Sequence, residues 1–84
     1  MMDRQEIEKK VIESTSTVMK VEADKISLET RFVEDLRMKS MKAIMLTALL
    51  EDMFNAKFPM SRVMKNQTVG DAVDMVIEVL SSAS

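Results

Sequence analysis

The 84-residue sequence contains no His, Cys, Tyr or Trp, which removes the commonest general bases, nucleophiles and metal ligands at once. Carboxylates are plentiful, but nothing in their spacing marks a paired acid and base, and a chain with one Gly has no Gly-rich phosphate loop. Neither an autonomous enzyme nor a metal site is expected. One hydroxyl stands in a distinctive setting. Ser40 follows Arg37 and Lys39, precedes Lys42, and opens an apolar run. At a helix start its oxygen lies beside N–H groups with no intrahelical acceptor, and the helix dipole favours an anion there. The three cations add to that preference by a few tenths of a kcal/mol each. Taken alone, such a Ser reads as an N-cap and nothing more.

Positioning this Ser falls to a small helical domain. A chain of this length, 46% hydrophobic, has room for one core, and without Cys or His it has neither disulfide nor zinc to staple it. One Gly, one Pro and many Met, Leu, Ala, Glu and Lys favour helices, and three Phe leave the core mostly aliphatic. The last helix is the clearest. Val69, Ala72, Val73, Val76, Ile77 and Leu80 repeat with helical period, Thr68 is a natural N-cap, and Asp71 completes a box-like start. This predicts a helix over 69–81 and a frayed tail at 81–84. Asp3 as N-cap, with Glu6 three residues on, opens a first helix over 3–18, its apolar edge formed by Ile7, Val11, Ile12 and Val18. Ser14 to Thr17 weaken its last turn.

Residues 20–39 have no sustained period. They read as a long loop pinned by Ile26, Leu28, Phe32, Val33 and Leu36, and a loop of that length tends to serve function. The helix over 40–54 is apolar almost all round. Ala43, Leu46, Thr47, Leu50 and Phe54 make its core side, while Met41, Met45 and Ala48 fall opposite with Asp52. That second stripe is either a docking surface or the outer wall of a central, wrapped helix. Pro59 suits the start of a short helix over 60–65. The expected fold is all-α: a small four-helix bundle in one domain, 1–84, with three main helices, a short third and a long loop between the first two.

The net charge of −2 is unevenly spread. Residues 37–65 hold six basic and two acidic side chains, while the segments on either side are acidic. A solvated mixed surface explains this without any partner. A nucleic-acid site would add aromatics and a larger basic excess, so no nucleic acid is expected. No apolar stretch fits a secretory signal, and Ala43–Leu50 is too short to cross a bilayer. A cytoplasmic monomer with no membrane association is expected.

Five short motifs give the chain a family likeness. Phe32-Val33-Glu34-Asp35-Leu36, Ser40-Met41, Leu49-Leu50-Glu51-Asp52-Met53-Phe54, Phe58-Pro59 and Thr68-Val69-Gly70-Asp71-Ala72-Val73 occur in order, without gaps, between about residues 26 and 80. Together they resemble the acyl carrier protein family. The resemblance implies that Ser40 receives 4′-phosphopantetheine from coenzyme A through a phosphopantetheinyl transferase. Acyl groups then ride on the arm's thiol between acyl-transferring or condensing enzymes of fatty acid, lipid or polyketide-type biosynthesis. It also explains how a chain without His works, since the transferase supplies the base and metal.

The departures carry information of their own. Lys39 stands where the family has Asp, and Lys39, Lys42 and Met45 replace the acidic character usual on the second helix. This points to a specialised carrier docking dedicated partners through Lys39, Met41, Lys42, Met45, Ala48 and Asp52. Met38, Met41, Met45, Met60 and Met64 suit an adaptable apolar surface or the lining of an acyl cavity. The rival reading is a carrier-like adaptor, never modified, that binds a partner through its second helix.

Overall fold

The computed structural model describes residues 2–82 as helices joined by tight connections. The helices are α1 (Arg4–Met19), α2 (Ser40–Phe54), α3 (Met60–Val63) and α4 (Val69–Ser82), with a single 3-10 turn at Ala23–Lys25. Among the described residues the one β feature is an isolated antiparallel bridge between Arg31 and Thr68. The structure is thus an all-α bundle of three long helices and one short one. No helix among the described residues is long and apolar enough to cross a membrane.

Local chemistry accounts for where the helices begin and end. Glu6 donates its backbone N–H to Asp3 Oδ1 at 2.9 Å, which caps α1. At α4, Asp71 N–H reaches Thr68 Oγ1 and Thr68 N–H returns to Asp71 Oδ2, both at 3.1 Å. This is a reciprocal box with Asp in the place of Glu. Lys20 and Asn55, with φ of 58° and 50°, end α1 and α2 in the left-handed conformation, each donating its N–H to the carbonyl four residues back. The hydroxyl-rich last turn of α1 does not break the helix. Thr15 Oγ1 and Thr17 Oγ1 donate to the carbonyls of Val11 and Glu13, which satisfies both groups within the helix. The expected fraying at 81–84 does not reach Ser82, whose hydroxyl donates to Glu78 O; residues 83–84 lie outside the described residues.

One correction concerns α3, which is a single turn rather than the six residues expected. After Val63 the chain tightens, with Lys65 N–H donating to Arg62 O and Asn66 N–H to Val63 O. A four-residue segment has too few intrahelical bonds to propagate. Side-chain bonds from Arg62 support it, a local one to Asn66 Oδ1 at 2.9 Å and a tertiary one to Glu78 Oε1 of α4 at 3.1 Å.

The core gathers Ile7, Val11 and Val18 of α1, Leu46, Leu50 and Phe54 of α2, and Val69, Ala72, Val73, Met75 and Val76 of α4. Phe58 joins from the connection before α3. Helix α1 packs against both α2 and α4, and α3 packs on α4. From the long loop, Ile26, Phe32 and Met38 plug into this core. Val33, expected as a fourth anchor, is exposed instead; the pin at that end of the loop is Met38.

The loop is tied to α4 as well. Phe32 N–H donates to Gln67 O, Val69 N–H to Thr30 O, and Gly70 N–H to Leu28 O at 2.8 Å. Gly70 is the only glycine, and a Cβ there would lie 3.1 Å from Leu28 O. Its place is set by this close approach of two backbones.

Candidate functional site

The loop's last turn delivers Ser40. Arg31 and Asp35 close it: Asp35 Oδ2 accepts Arg31 N–H at 2.8 Å, and the Arg31 guanidinium reaches both carboxylate oxygens. This pairing holds the Asp35 carboxyl below the usual carboxylate range. Beyond it Arg37 adopts the left-handed conformation, φ 60°, and Met38 donates back to Phe32 O at 2.9 Å. For a residue with a Cβ that conformation costs about 1 kcal/mol. The turn buries Met38 and leaves Lys39 and Ser40 exposed.

Ser40 is the first residue of α2, with Lys39 in the N-cap position. No side chain caps this end, and its first turn contains no acidic residue. The N–H groups that an N-cap would satisfy stay open to an external acceptor. Arg37, Lys39 and Lys42 surround the position, and among the described residues none of the three is in an ion pair. The local field therefore favours an anion at the Ser40 oxygen.

Beside Ser40 opens a cavity of about 470 Å³. It runs between α2 and the α3–α4 side, from Lys39 and Ser40 past Ala43 and Thr47 to Leu50, Ala72 and Met75. Thr47 Oγ1 donates to Ala43 O and Asn66 Nδ2 to Met75 Sδ, so these two polar side chains of the wall are hydrogen-bonded within the fold. Apart from Lys39 and Ser40 at the mouth, the remaining lining is hydrocarbon and thioether. Of the five methionines near this end, Met38 and Met64 line the cavity, while Met41, Met45 and Met60 face outward.

The outer face of α2 is uncovered. Met41 is 71% exposed and Met45 46%, and Ala48 and Asp52 continue the line as exposed residues. Helix α2 is therefore not wrapped on that side. Sequence reasoning missed Ile44, 55% exposed between the two methionines. Its spacing of three from Met41 was the available signal. Lys42 is half-buried. The structure thus brings Lys39 and Ser40 to one cavity mouth, and sets Met41, Met45, Ala48 and Asp52 along an adjoining exposed stripe.

A serine on an open helix end above a hydrocarbon cavity has the geometry a covalently carried group needs, and the class of carrier domain is given by comparison with known proteins. Residues 9–76 match the family model described as a phosphopantetheine attachment site. The acyl carrier protein of Borrelia garinii is 37% identical over 75 residues, covering 89% of this chain and 94% of that protein. The acyl carrier protein of Rubrobacter xylanophilus is 36% identical over 77 residues, covering 92% and 95%. A solved acyl carrier protein structure from Enterococcus faecalis superposes with a TM-score of 0.76 at 29% identity, covering 93% of this chain and 99% of that one.

The chain belongs to the acyl carrier protein family. It is a carrier, not an enzyme, and the family's group is covalently attached 4′-phosphopantetheine. The family also implies partners of two kinds, a phosphopantetheinyl transferase and acyl-handling enzymes. The residues present suit the group: an exposed hydroxyl, uncapped N–H groups and unpaired cations suit a phosphodiester, and the apolar cavity beside them suits hydrocarbon.

Proposed function

We propose that Ser40 is the attachment residue and that the chain acts as a single carrier domain for acyl groups in fatty acid, lipid or polyketide-type biosynthesis. The observation that carries this is the place of Ser40, exposed at the uncapped start of α2 and at the mouth of the cavity. Ser40 Oγ forms the new P–O bond to the pantetheine-side phosphorus of coenzyme A. The anhydride bond breaks, adenosine 3′,5′-bisphosphate leaves, and the hydroxyl proton passes to the transferase's base. No group on this chain has to activate the oxygen.

When attached, the arm supplies a terminal thiol that holds an acyl group as a thioester. The chain's own residues do the rest. The first-turn N–H groups of α2, with Lys39 and Lys42, stabilise the phosphodiester charge. Met38, Leu46, Leu50, Val63, Met64 and Met75 offer hydrocarbon a wall that excludes water.

Incubation with coenzyme A and a broad-specificity transferase tests the assignment by intact mass. One phosphopantetheine is expected on the wild type and none on Ser40→Ala. A wild type that stays unmodified with every transferase tried would leave the adaptor reading, which the uncovered face of α2 also supports.

A further inference from the structure

The exposed face of α2 is at once apolar and positively rimmed. Met41, Ile44, Met45 and Ala48 form a stripe about 10 Å long at the helical rise of 1.5 Å per residue. Val33, 63% exposed, and Met64, 72% exposed, are two further uncovered apolar side chains from the segments that line the neighbouring cavity. Arg37 and Lys39 are exposed at the Ser40 end, with Lys42 beside them, and Lys65 follows Met64. Two acids also belong here, Glu34 next to Val33 and Asp52 at the far end of α2. The balance near Ser40 is positive, while most carboxylates lie on other elements, among them Glu6 and Glu13 of α1 and Asp74 and Glu78 of α4.

We propose that this face docks a protein partner whose own surface is a shallow apolar depression bordered by Asp and Glu. The inference rests on Ser40 being the attachment residue, since an enzyme that reaches an arm on Ser40 must settle on the ground around it. Charge complementarity selects the partner. A partner bordered by Lys and Arg meets Arg37, Lys39 and Lys42 as like charges, which cost affinity and slow encounter; a carboxylate border is drawn in by the same three groups. Methionines match the apolar part, because their flexible, polarizable side chains adapt to a partner's relief. An anionic membrane is the weaker fit. The stripe spans only about two helical turns, it presents no aromatic side chain, and the protein carries net charge −2.

The test uses the full chain, coenzyme A and a broad-specificity phosphopantetheinyl transferase in two forms. One has a basic carrier-docking border, and in the other those basic residues are replaced by Glu. Loading is followed by intact mass, and Kd is measured separately by titration, so that binding is read whether or not loading occurs. The Glu-bordered form is expected to show a KM and a Kd about ten-fold lower for the wild type at low salt, with kcat unchanged. Added salt should speed loading by the basic form and slow loading by the Glu-bordered form. Lys39→Glu combined with Lys42→Glu should reverse the preference.

Equal or better binding by the basic form would overturn the inference. So would pelleting of the chain with phosphatidylglycerol vesicles, or a dimer in sedimentation that Met41→Glu dissolves. Preferential binding of the Glu-bordered form with no mass added would keep the docking surface and defeat the attachment reading instead.

Discussion

The starts of α2 and α4 solve opposite problems with the same kind of structure. At α4, Thr68 and Asp71 exchange hydrogen bonds, Gln67 N–H adds a third at 2.9 Å, and an acidic side chain sits in the first turn. Every group there faces another group of the same chain. At α2 the N-cap is Lys39, which makes no capping bond, the first turn has no acid, and the nearby cations lack partners among the described residues. Thr68 and Asp71 are half-buried, whereas Lys39 and Ser40 are exposed. The difference is between a helix end closed by groups of its own fold and one whose first N–H groups are left open to an external acceptor.

The sharpest way to break this comparison is to remove one hydroxyl from each end. Ser40→Ala should abolish phosphopantetheine addition in intact-mass analysis and leave the melting temperature nearly unchanged, because Ser40 caps nothing. Thr68→Ala should do the reverse. It should load normally and lose about 1 kcal/mol, seen as a melting temperature about 4–8 °C lower by circular dichroism.

Between those extremes in kind, and larger than the cap in energy, comes Leu50→Ala. Leu50 is 2% exposed and lies on both the core and the cavity wall. Its truncation should cost about 2–5 kcal/mol in denaturant unfolding.

Acidification gives a smaller effect that belongs to the closed end. The N–H groups of Gln67 and then Thr68 hold the Asp71 carboxyl below the usual carboxylate range. A depressed folded pKa contributes stability that is present above the unfolded carboxylate pKa and lost as pH falls through the folded one. Stability of the wild type should therefore drop on acidification below the ordinary Asp range, and Asp71→Asn should flatten that part of the curve. The smallest expected change is a gain. Lys39 has the extended backbone of an N-cap, so Lys39→Asp should close α2 and add about 0.5–1 kcal/mol in the same unfolding assay.

Much of this was legible from local chemistry. The α4 box followed from Thr68 and Asp71 three residues apart, and the two sides of α2 followed from the spacing of its apolar residues. The family likeness rests on motifs in order, and it is this resemblance that points to Ser40. What stayed hidden was tertiary. No period announces that Val33 turns outward and Met38 inward: Val33 lies inside the turn closed by Arg31 and Asp35, and Met38 follows the left-handed Arg37. The cavity was hidden for the same reason. Leu46, Thr47 and Leu50 look like core residues from their spacing alone, and only the placement of α2 across from α3 and α4 leaves room beside them.

The single turn of α3 has a kinetic consequence. It contributes Val63 to the cavity wall and hands the chain on to Met64 and Asn66, yet its backbone bonds span only one turn, from Pro59 to Asn66, and among the described residues its one side-chain bond to another element runs from Arg62 to Glu78. Segments of this kind open locally at a small fraction of the global unfolding free energy. Amide exchange at Arg62 to Asn66 should therefore run far ahead of exchange at Val11 or Val73. Such exchange would mean that this wall of the cavity yields while α1, α2 and α4 stay folded.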